Sequence, residues 1–366
     1  MKGRSGGVRM LVMRFSALGD VAMTVPVVWS AARQYPDVEF IVLSRGNMAQ
    51  VFSLMPDNVS FVEADFKGRH KGIIGLCRLL DELRSYRVNR VADLHGVLRS
   101  HFLRVAYALR GVRCAVIDKG RREKRYLVKS GYGKCGPLRN SLNRYEDVFS
   151  MLGFPVRTDF PGFSFTESQI RDAGVELPSG SVNIGIAPFA KHPGKAYPME
   201  KVAMLVRELL ERGDGVRVYL FGAGEEEKKV CERMEREGAG CVISLVGKYT
   251  IVQELMLMSR LDAMLTMDSA NMHLAALTGV KVLTVWMATH PYAGFLGYGV
   301  DEELVIQRPL PCRPCSVFGN RPCRYGDYPC KDIPPSQVAK RIFDAVGGEE
   351  KHGVSGEQYA DRQRQP

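Results

Sequence analysis

The chain has 366 residues, 45% hydrophobic and 25% charged, with a formal net charge of +11. This length holds two domains of ordinary size, and the composition excludes a chain that is disordered throughout. The lack of any run of 18 apolar residues argues against a transmembrane helix. The basic start followed by apolar residues 8–13 is too short for a signal peptide and has no small-residue cleavage site, so a first buried strand and a cytoplasmic location are expected.

Taken in chain order, short β-rich runs alternate with amphipathic helical runs. Strands are predicted over 10–15, 39–43, 59–62, 90–93 and 114–117. Between them lie helical runs such as 73–86, where Ile73, Leu76, Leu79, Leu80 and Leu83 recur at helix spacing. Residues 119–125, a cluster of Lys, Arg and one Glu, are predicted to form a mobile loop. The pattern breaks around 153–180, where Pro155, Pro161, Pro178 and several glycines read as a linker. It then restarts with strands over 183–187, 217–221, 242–245, 263–267 and 281–286, and helices over 199–212, 225–237, 251–259 and 272–278. Such alternation implies parallel sheets with helices on both faces. The expected division is a Rossmann-like domain over 1–165, a linker over 166–181, and a second Rossmann-like domain over 182–332 that includes a cysteine-rich loop at 309–331. A helix over 333–346 is expected to pack back on the first half, and a polar, disordered tail occupies 347–366. The two halves are alike in kind but show no residue-level repeat.

Doubly wound sheets bind ligands beyond the carboxyl ends of their strands, and four segments there carry candidate chemistry. The first is Arg14-Phe15-Ser16-Ala17-Leu18-Gly19-Asp20. Asp20 opens a helix whose dipole favours a carboxylate, so it fits either a general base or a plain N-cap. The segment is not a GxGxxG, which argues against a dinucleotide site and a dehydrogenase. The second is Asp268-Ser269-Ala270-Asn271-Met272-His273, where small residues at a helix start expose N–H groups to an anion such as a diphosphate and Asp268 can accept from sugar hydroxyls; His273, one turn in, reads more readily as structural. The third runs from Ala187 to Pro198 and places Lys191 and Lys195 as point cations for phosphate, or as a solvated basic loop. The fourth is Gly222-Ala223-Gly224-Glu225, where Glu225 suits either a ribose hydroxyl or ordinary dipole chemistry.

Charge is unevenly spread. From Lys67 to Arg144 there are 20 Lys and Arg against five Asp and Glu, a field suited to an anionic partner or merely to a soluble basic face. Of nine cysteines, Cys77, Cys114, Cys135, Cys231 and Cys241 are scattered, as free thiols of a reducing compartment usually are. Cys312, Cys315, Cys323 and Cys330 form a C-x2-C-x7-C-x6-C cluster that could hold structural zinc, form two disulfides or remain as free thiols.

With these segments in view, the chain from about residue 10 to 346 resembles glycosyltransferase family 9, the ADP-heptose:lipopolysaccharide heptosyltransferases. The most specific parts are the opening segment with Thr24-Val25-Pro26, the run from Thr266 to Ala276, and Lys195-Ala196-Tyr197-Pro198, which looks like the family's Lys-x-Trp-Pro pattern. The resemblance implies a GT-B architecture, two Rossmann-like domains facing across a cleft, with the acceptor on the first and the nucleotide sugar on the second. It implies Asp20 as catalytic base and Lys195 on the diphosphate. It places Asp268 and the amides of Ser269, Ala270 and Asn271 on the donor, with Glu225 on the ribose. Ser16, Gly19, His95, Arg99, Arg121 and Arg122 are the candidate acceptor residues. Departures from the family pattern are Ala17, the Ser269-Ala270 pair and Tyr197, which bear on donor and acceptor preference.

The implied reaction is a single displacement with inversion. Asp20 takes a proton from the acceptor hydroxyl, and Lys195 and the helix start stabilise the leaving diphosphate. No Asp-x-Asp metal motif is present, and no cofactor is expected for catalysis. The expected partners are ADP-heptose, an anionic glycolipid acceptor and the inner membrane surface, with no nucleic acid. The competing readings are a GT-B transferase using another nucleotide sugar and a non-catalytic basic protein binding nucleic acid or membrane.

Overall fold

A computed structural model describes residues 7–213 and 215–347; the tail expected at 347–366 lies outside them beyond Gly347. The described residues divide into two compact units, those up to 119 with 140–160, and 120–139 with those from 161 onward. The first unit holds β1 (Arg9–Met13), β2 (Glu39–Ser44), β3 (Val59–Glu63), β4 (Arg90–Asp93) and β5 (Arg113–Val116), all parallel, in the order β3-β2-β1-β4-β5. The second holds β6 (Val182–Ala187), β7 (Val216–Leu220), β8 (Val242–Ser244), β9 (Ala263–Met267), β10 (Val282–Trp286) and β11 (Val305–Gln307), again parallel, in the order β11-β10-β9-β6-β7-β8. Both sheets are doubly wound. In each, the strand order reverses beside the unit's first strand, between β1 and β4 and between β6 and β9, which is where such sheets open a crevice at their carboxyl ends. The halves therefore share a topology without sharing a visible sequence repeat.

The central strands read as continuous apolar runs because both faces are covered. All five residues of β9 and of β10 are buried. In the first unit, Leu11 and Met13 of β1 and Ile41 and Leu43 of β2 pack against Leu76, Leu79, Leu80 and Leu83. These leucines come from the predicted run at 73–86, which is a helix over Gly72–Glu82 followed by a 3₁₀ turn over Leu83–Tyr86. Ile73 shares their spacing but is exposed. In the second unit the core gathers Ile184, Leu220, Leu265 and Val285 from the sheet with Leu205 and Leu209 from the helix Met199–Arg212. The terminal helix Pro335–Gly347 buries Val338, Ala339 and Ile342 in that core. A helix over Glu167–Asp172 interrupts the predicted linker, closed by a capping box in which Thr166 and Gln169 exchange hydrogen bonds. The three-residue edge strand β11 carries too short a pattern to read from sequence.

The terminal helix, expected on the first half, thus buries its apolar face in the second unit, and a second expectation is overturned as well. Residues 121–125 are not a loop: beyond Lys119 and Gly120 the chain forms the α-helix Arg121–Ser130. Its composition is so basic that the apolar stripe is hard to see, but Leu127 is 0% exposed and the Lys124 stem is buried, with its ammonium 4.1 Å from the Phe295 ring centroid. The segment after it is fastened to the second unit. Tyr132 stacks on His290 at 4.3 Å between centroids, its N–H donates to the Arg313 carbonyl at 3.1 Å, and the Leu138 N–H donates to the Tyr292 carbonyl at 2.9 Å. These contacts are why residues 120–139 group with the second sheet although they precede the return of the chain to the first. If this helix is a packed element, Leu127→Ala costs about 2–5 kcal/mol, whereas Arg122→Ala stays within about 0.5 kcal/mol. Urea unfolding of the two variants checks this; equal stability would mean that the segment is unpacked.

Candidate functional site

In the first unit the candidate residues gather where β1 and β4 end. β1 delivers Arg14, whose guanidinium donates through Nη1 to the Leu94 carbonyl at 2.8 Å and through Nη2 pairs with Asp20 Oδ2 at 2.7 Å. Asp20 sits in the helix Leu18–Ala22 and also accepts from the Ala17 N–H at 3.2 Å. Its carboxylate is thus aimed from two sides, by a nearly buried cation and by the backbone, while its side chain keeps 35% of its exposure. β4 delivers Asp93, fully buried, whose Oδ1 accepts from the N–H groups of His95 and Gly96 at 3.0 and 2.8 Å. This turn presents His95, and its Nδ1 accepts the Phe15 N–H at 3.2 Å. Desolvation, then the cations Arg14 and Lys119, push the His95 imidazole down to about 3, so it is neutral at ordinary pH. Ser16 and Gly19 line the same turn. Arg99 lies on the next helix with its guanidinium 4.8 Å from the Phe66 ring centroid.

In the second unit the loops after β6 and β9 meet. Lys195 Nζ pairs with Asp268 Oδ2 at 2.8 Å, with the lysine side chain 15% and the aspartate 5% exposed. Thr289, in the loop after β10, donates its hydroxyl to the same Oδ2 at 2.8 Å. The pair bridges the point where the strand order reverses. The Ser269 hydroxyl is buried and has no hydrogen-bond partner among the described residues. The helix expected over 272–278 is the six-residue Ala270–Ala275, with Ala270 and Asn271 half-buried at its start. His273 is buried in its body. Tyr197, at the family's Trp position, is 1% exposed and donates to the Ile333 carbonyl at 2.5 Å, anchoring the lysine loop from behind.

Other expected residues stand apart from these clusters. Lys191 is exposed in its loop and Glu225 is exposed at the first position of the helix Glu225–Glu237, and Glu227, rather than Glu225, closes the turn after β7 by accepting the Ala223 N–H at 2.7 Å. Arg121 and Arg122 are exposed on the helix Arg121–Ser130, in the second unit. The four clustered cysteines are free thiols. Among the described residues no group of three or more His, Cys, Asp or Glu side chains is arranged to hold a metal ion, so the zinc alternative finds no support. Cys330 is drawn into the apolar core, where burial pushes its thiol up to about 11. Sequence reasoning quoted Arg14 without giving it a role and missed Thr289 altogether. Arg14 had a signal, a cation closing an otherwise apolar strand; Thr289 had none.

Two doubly wound units, each with charged groups collected at the reversal of its strand order, define a two-domain α/β enzyme of Rossmann-like type. The model of glycosyltransferase family 9 (heptosyltransferase) matches residues 76–325, and the chain belongs to that family; it is a glycosyltransferase. Lipopolysaccharide heptosyltransferase 1 of Pseudomonas aeruginosa is 23% identical over 348 residues, covering 92% of this chain and 91% of its own. The structure of E. coli ADP-heptose lps heptosyltransferase II superposes with a TM-score of 0.70 at 19% identity, covering 94% of this chain and 100% of that one. A family 9 glycosyltransferase from Veillonella parvula gives 0.71 at 18%, covering 93% and 98%. These neighbours share the fold of two Rossmann-like domains. Among the described residues no helix is long and apolar enough to cross a membrane.

The neutral His95 has a thermodynamic consequence. Its folded-state value lies below the ordinary 6.5. Between about pH 6.5 and 3 the unfolded chain therefore binds a proton that the native imidazole refuses, and stability falls as pH falls through that window. His95→Gln removes the penalty. Unfolding free energy measured at about pH 7.5 and 4.5 should drop less in the variant than in the parent; an identical drop would mean that His95 titrates normally in the folded protein.

Proposed function

We propose that this enzyme transfers heptose from ADP-heptose to an anionic acceptor of the lipopolysaccharide core, with inversion at the anomeric carbon. The observation that carries this reading is the Lys195–Asp268 pair at the strand reversal of the second unit. A lysine held there by a carboxylate is a preformed counter-charge for a departing diphosphate. Asp268, with the amides of Ser269, Ala270 and Asn271, is the proposed seat of the donor, and Lys191 and Glu225 are proposed outer contacts for phosphate and ribose. The choice of ADP-heptose draws on the name of the E. coli protein, and the choice of heptose and lipopolysaccharide also on that of the P. aeruginosa protein.

Asp20 is the proposed base. It removes the proton of the acceptor hydroxyl as that oxygen attacks; the bond from the sugar to the diphosphate breaks, and the leaving oxygen's charge is met by Lys195. One carboxylate suffices because no covalent sugar–enzyme intermediate forms. Arg14 orients Asp20, and the neutral His95 with Ser16, Gly19, Arg99, Arg121 and Arg122 forms the proposed acceptor set. Asp20→Asn preserves size and most hydrogen bonding but removes the base. It should leave ADP binding, measured by calorimetry, within about twofold while transfer falls about 10²–10⁴-fold. An unchanged transfer rate would reject the assignment. Turnover with ADP-, GDP- and UDP-sugars tests the donor, and preference for GDP or UDP would favour the rival nucleotide-sugar reading.

Peripheral attachment to an anionic membrane is part of the same proposal. In the first unit Ile73 and Ile74 are 71% and 80% exposed at the start of the helix Gly72–Glu82, just after the exposed cations Lys67, Arg69 and Lys71. Apolar side chains flanked by cations suit the interfacial zone of an acidic bilayer. Replacing both isoleucines by Ser should weaken co-sedimentation with phosphatidylglycerol vesicles about tenfold or more, with transfer to a delipidated acceptor unaffected. Equal sedimentation of variant and parent would remove this surface from the proposal.

A further inference from the structure

Resting on the donor-site reading above, we propose that the cysteine-bearing segment 308–333 is a positioning element for the Lys195–Asp268 pair, acting through Arg313 and Gly319. Neither residue entered the sequence-based site, and neither contacts the donor in this reading; each acts through another residue.

Arg313 is fully buried without an acidic partner among the contacts it makes. Its guanidinium instead collects main-chain carbonyls, three from the end of β10 and the loop beyond it and one from Arg308 after β11. Nε donates to Met287, Nη2 to Trp286 at 3.1 Å and to Thr289 at 2.7 Å, and Nη1 to Arg308 at 2.8 Å. Burying a cation among neutral acceptors is costly, and desolvation lowers its affinity for a proton to about 10. What this arrangement fixes is the path of residues 286–289. Thr289 is the outcome that matters: its carbonyl is held by Arg313, and its hydroxyl donates to the carboxylate oxygen of Asp268 that also binds Lys195. The same loop is fastened from both sides, because the Ala288 N–H donates to the Gly194 carbonyl at 2.8 Å and the Cys315 N–H to the Ala288 carbonyl at 2.7 Å.

Gly319 reaches the lysine directly. It adopts φ +68°, in the left-handed region, and a Cβ there would stand 2.7 Å from Lys195 Cγ and 3.4 Å from Thr289 Cγ2. A Cβ on Gly194 would stand 2.6 Å from the Gly319 carbonyl oxygen. The two glycines therefore let the cysteine segment and the lysine loop press backbone to backbone, and the aliphatic stem of Lys195 lies in the space a side chain at 319 would fill. The segment thus sets both members of the ion pair: the lysine by steric contact and the aspartate through the Thr289 hydroxyl.

The test uses the full-length enzyme, with ADP binding by calorimetry and donor and acceptor KM values as readouts. Thr289→Val keeps the shape and removes the donated hydrogen bond. It should raise the ADP Kd and the donor KM about tenfold, the equivalent of one hydrogen bond to a charged group, with the acceptor KM unchanged. Thr289→Ser should restore both to within about twofold, since the hydroxyl is regained. Gly319→Ala should likewise raise the donor KM and leave the acceptor KM alone, and Arg313→Lys should do the same because an ammonium cannot reproduce the planar fork. If Arg313→Lys fails to fold, the Thr289 pair decides by itself. The proposal is overturned if Thr289→Val and Gly319→Ala keep the parent's donor KM, or if Thr289→Ser is as impaired as Thr289→Val. A parent enzyme that binds no ADP would instead overturn the donor-site reading, and this proposal with it.

Discussion

The pairing of Lys195 with Asp268 is the constraint around which the second unit is arranged. An ion pair this buried is a poor source of net stability, because both charges forfeit water. It persists where surrounding groups satisfy what the pair leaves open, and here they do. The Thr289 hydroxyl reaches the same carboxylate oxygen as the lysine. Tyr197 anchors the lysine loop to the main chain at Ile333, and Arg313 holds the chain leading to Thr289. Three loops distant in sequence converge on one carboxylate because β6, β9 and β10 are neighbours in the sheet, not because their sequences resemble one another.

The first unit solves a related problem with other residues. Its charged pair, Arg14 and Asp20, comes from a single turn at the end of β1 and is tied across the strand reversal by the bond from Arg14 to the Leu94 carbonyl. The neighbouring imidazole is kept neutral by desolvation and by the same arginine. A carboxylate held by a cation beside an uncharged hydrogen-bonding ring is a different instrument from a lysine held by a carboxylate. In the proposed reading the first handles the acceptor's hydroxyl proton and the second receives the leaving group's negative charge, the division of labour a glycosyl transfer requires.

The large basic excess between Lys67 and Arg144 is less of a surface property than its count suggests. Arg144 is buried and donates to the Asp118 carbonyl at 3.3 Å, Lys119 donates to the Gly96 carbonyl at 3.2 Å, and Lys124 lies against the Phe295 ring. These cations hold turns and helices in place. Lys67 and Lys71 remain exposed beside the exposed isoleucines, as does Arg69 apart from its pairing with Glu82 at 3.8 Å. Charge counted along a sequence thus overstates the field available to a partner.

What the sequence determined by itself was whatever depends on near neighbours along the chain. Alternating apolar runs specified two parallel sheets, and the loop chemistry after β1, β6 and β9 singled out Asp20, Lys195 and Asp268. The opening and Thr266–Ala276 motifs pointed to the family that the match over residues 76–325 establishes. Tertiary structure decided what depends on distance. Residues 120–139 join the second unit through Tyr132 and Leu138, although nothing local in that basic stretch announces it. Thr289 and Arg313 matter because strand order carries their loops to Asp268, and the clustered cysteines, so suggestive by spacing, remain free thiols in a loop whose buried arginine holds main-chain carbonyls. Local pattern records the period and polarity that each element needs; it carries no record of which loop another strand will bring within hydrogen-bonding reach.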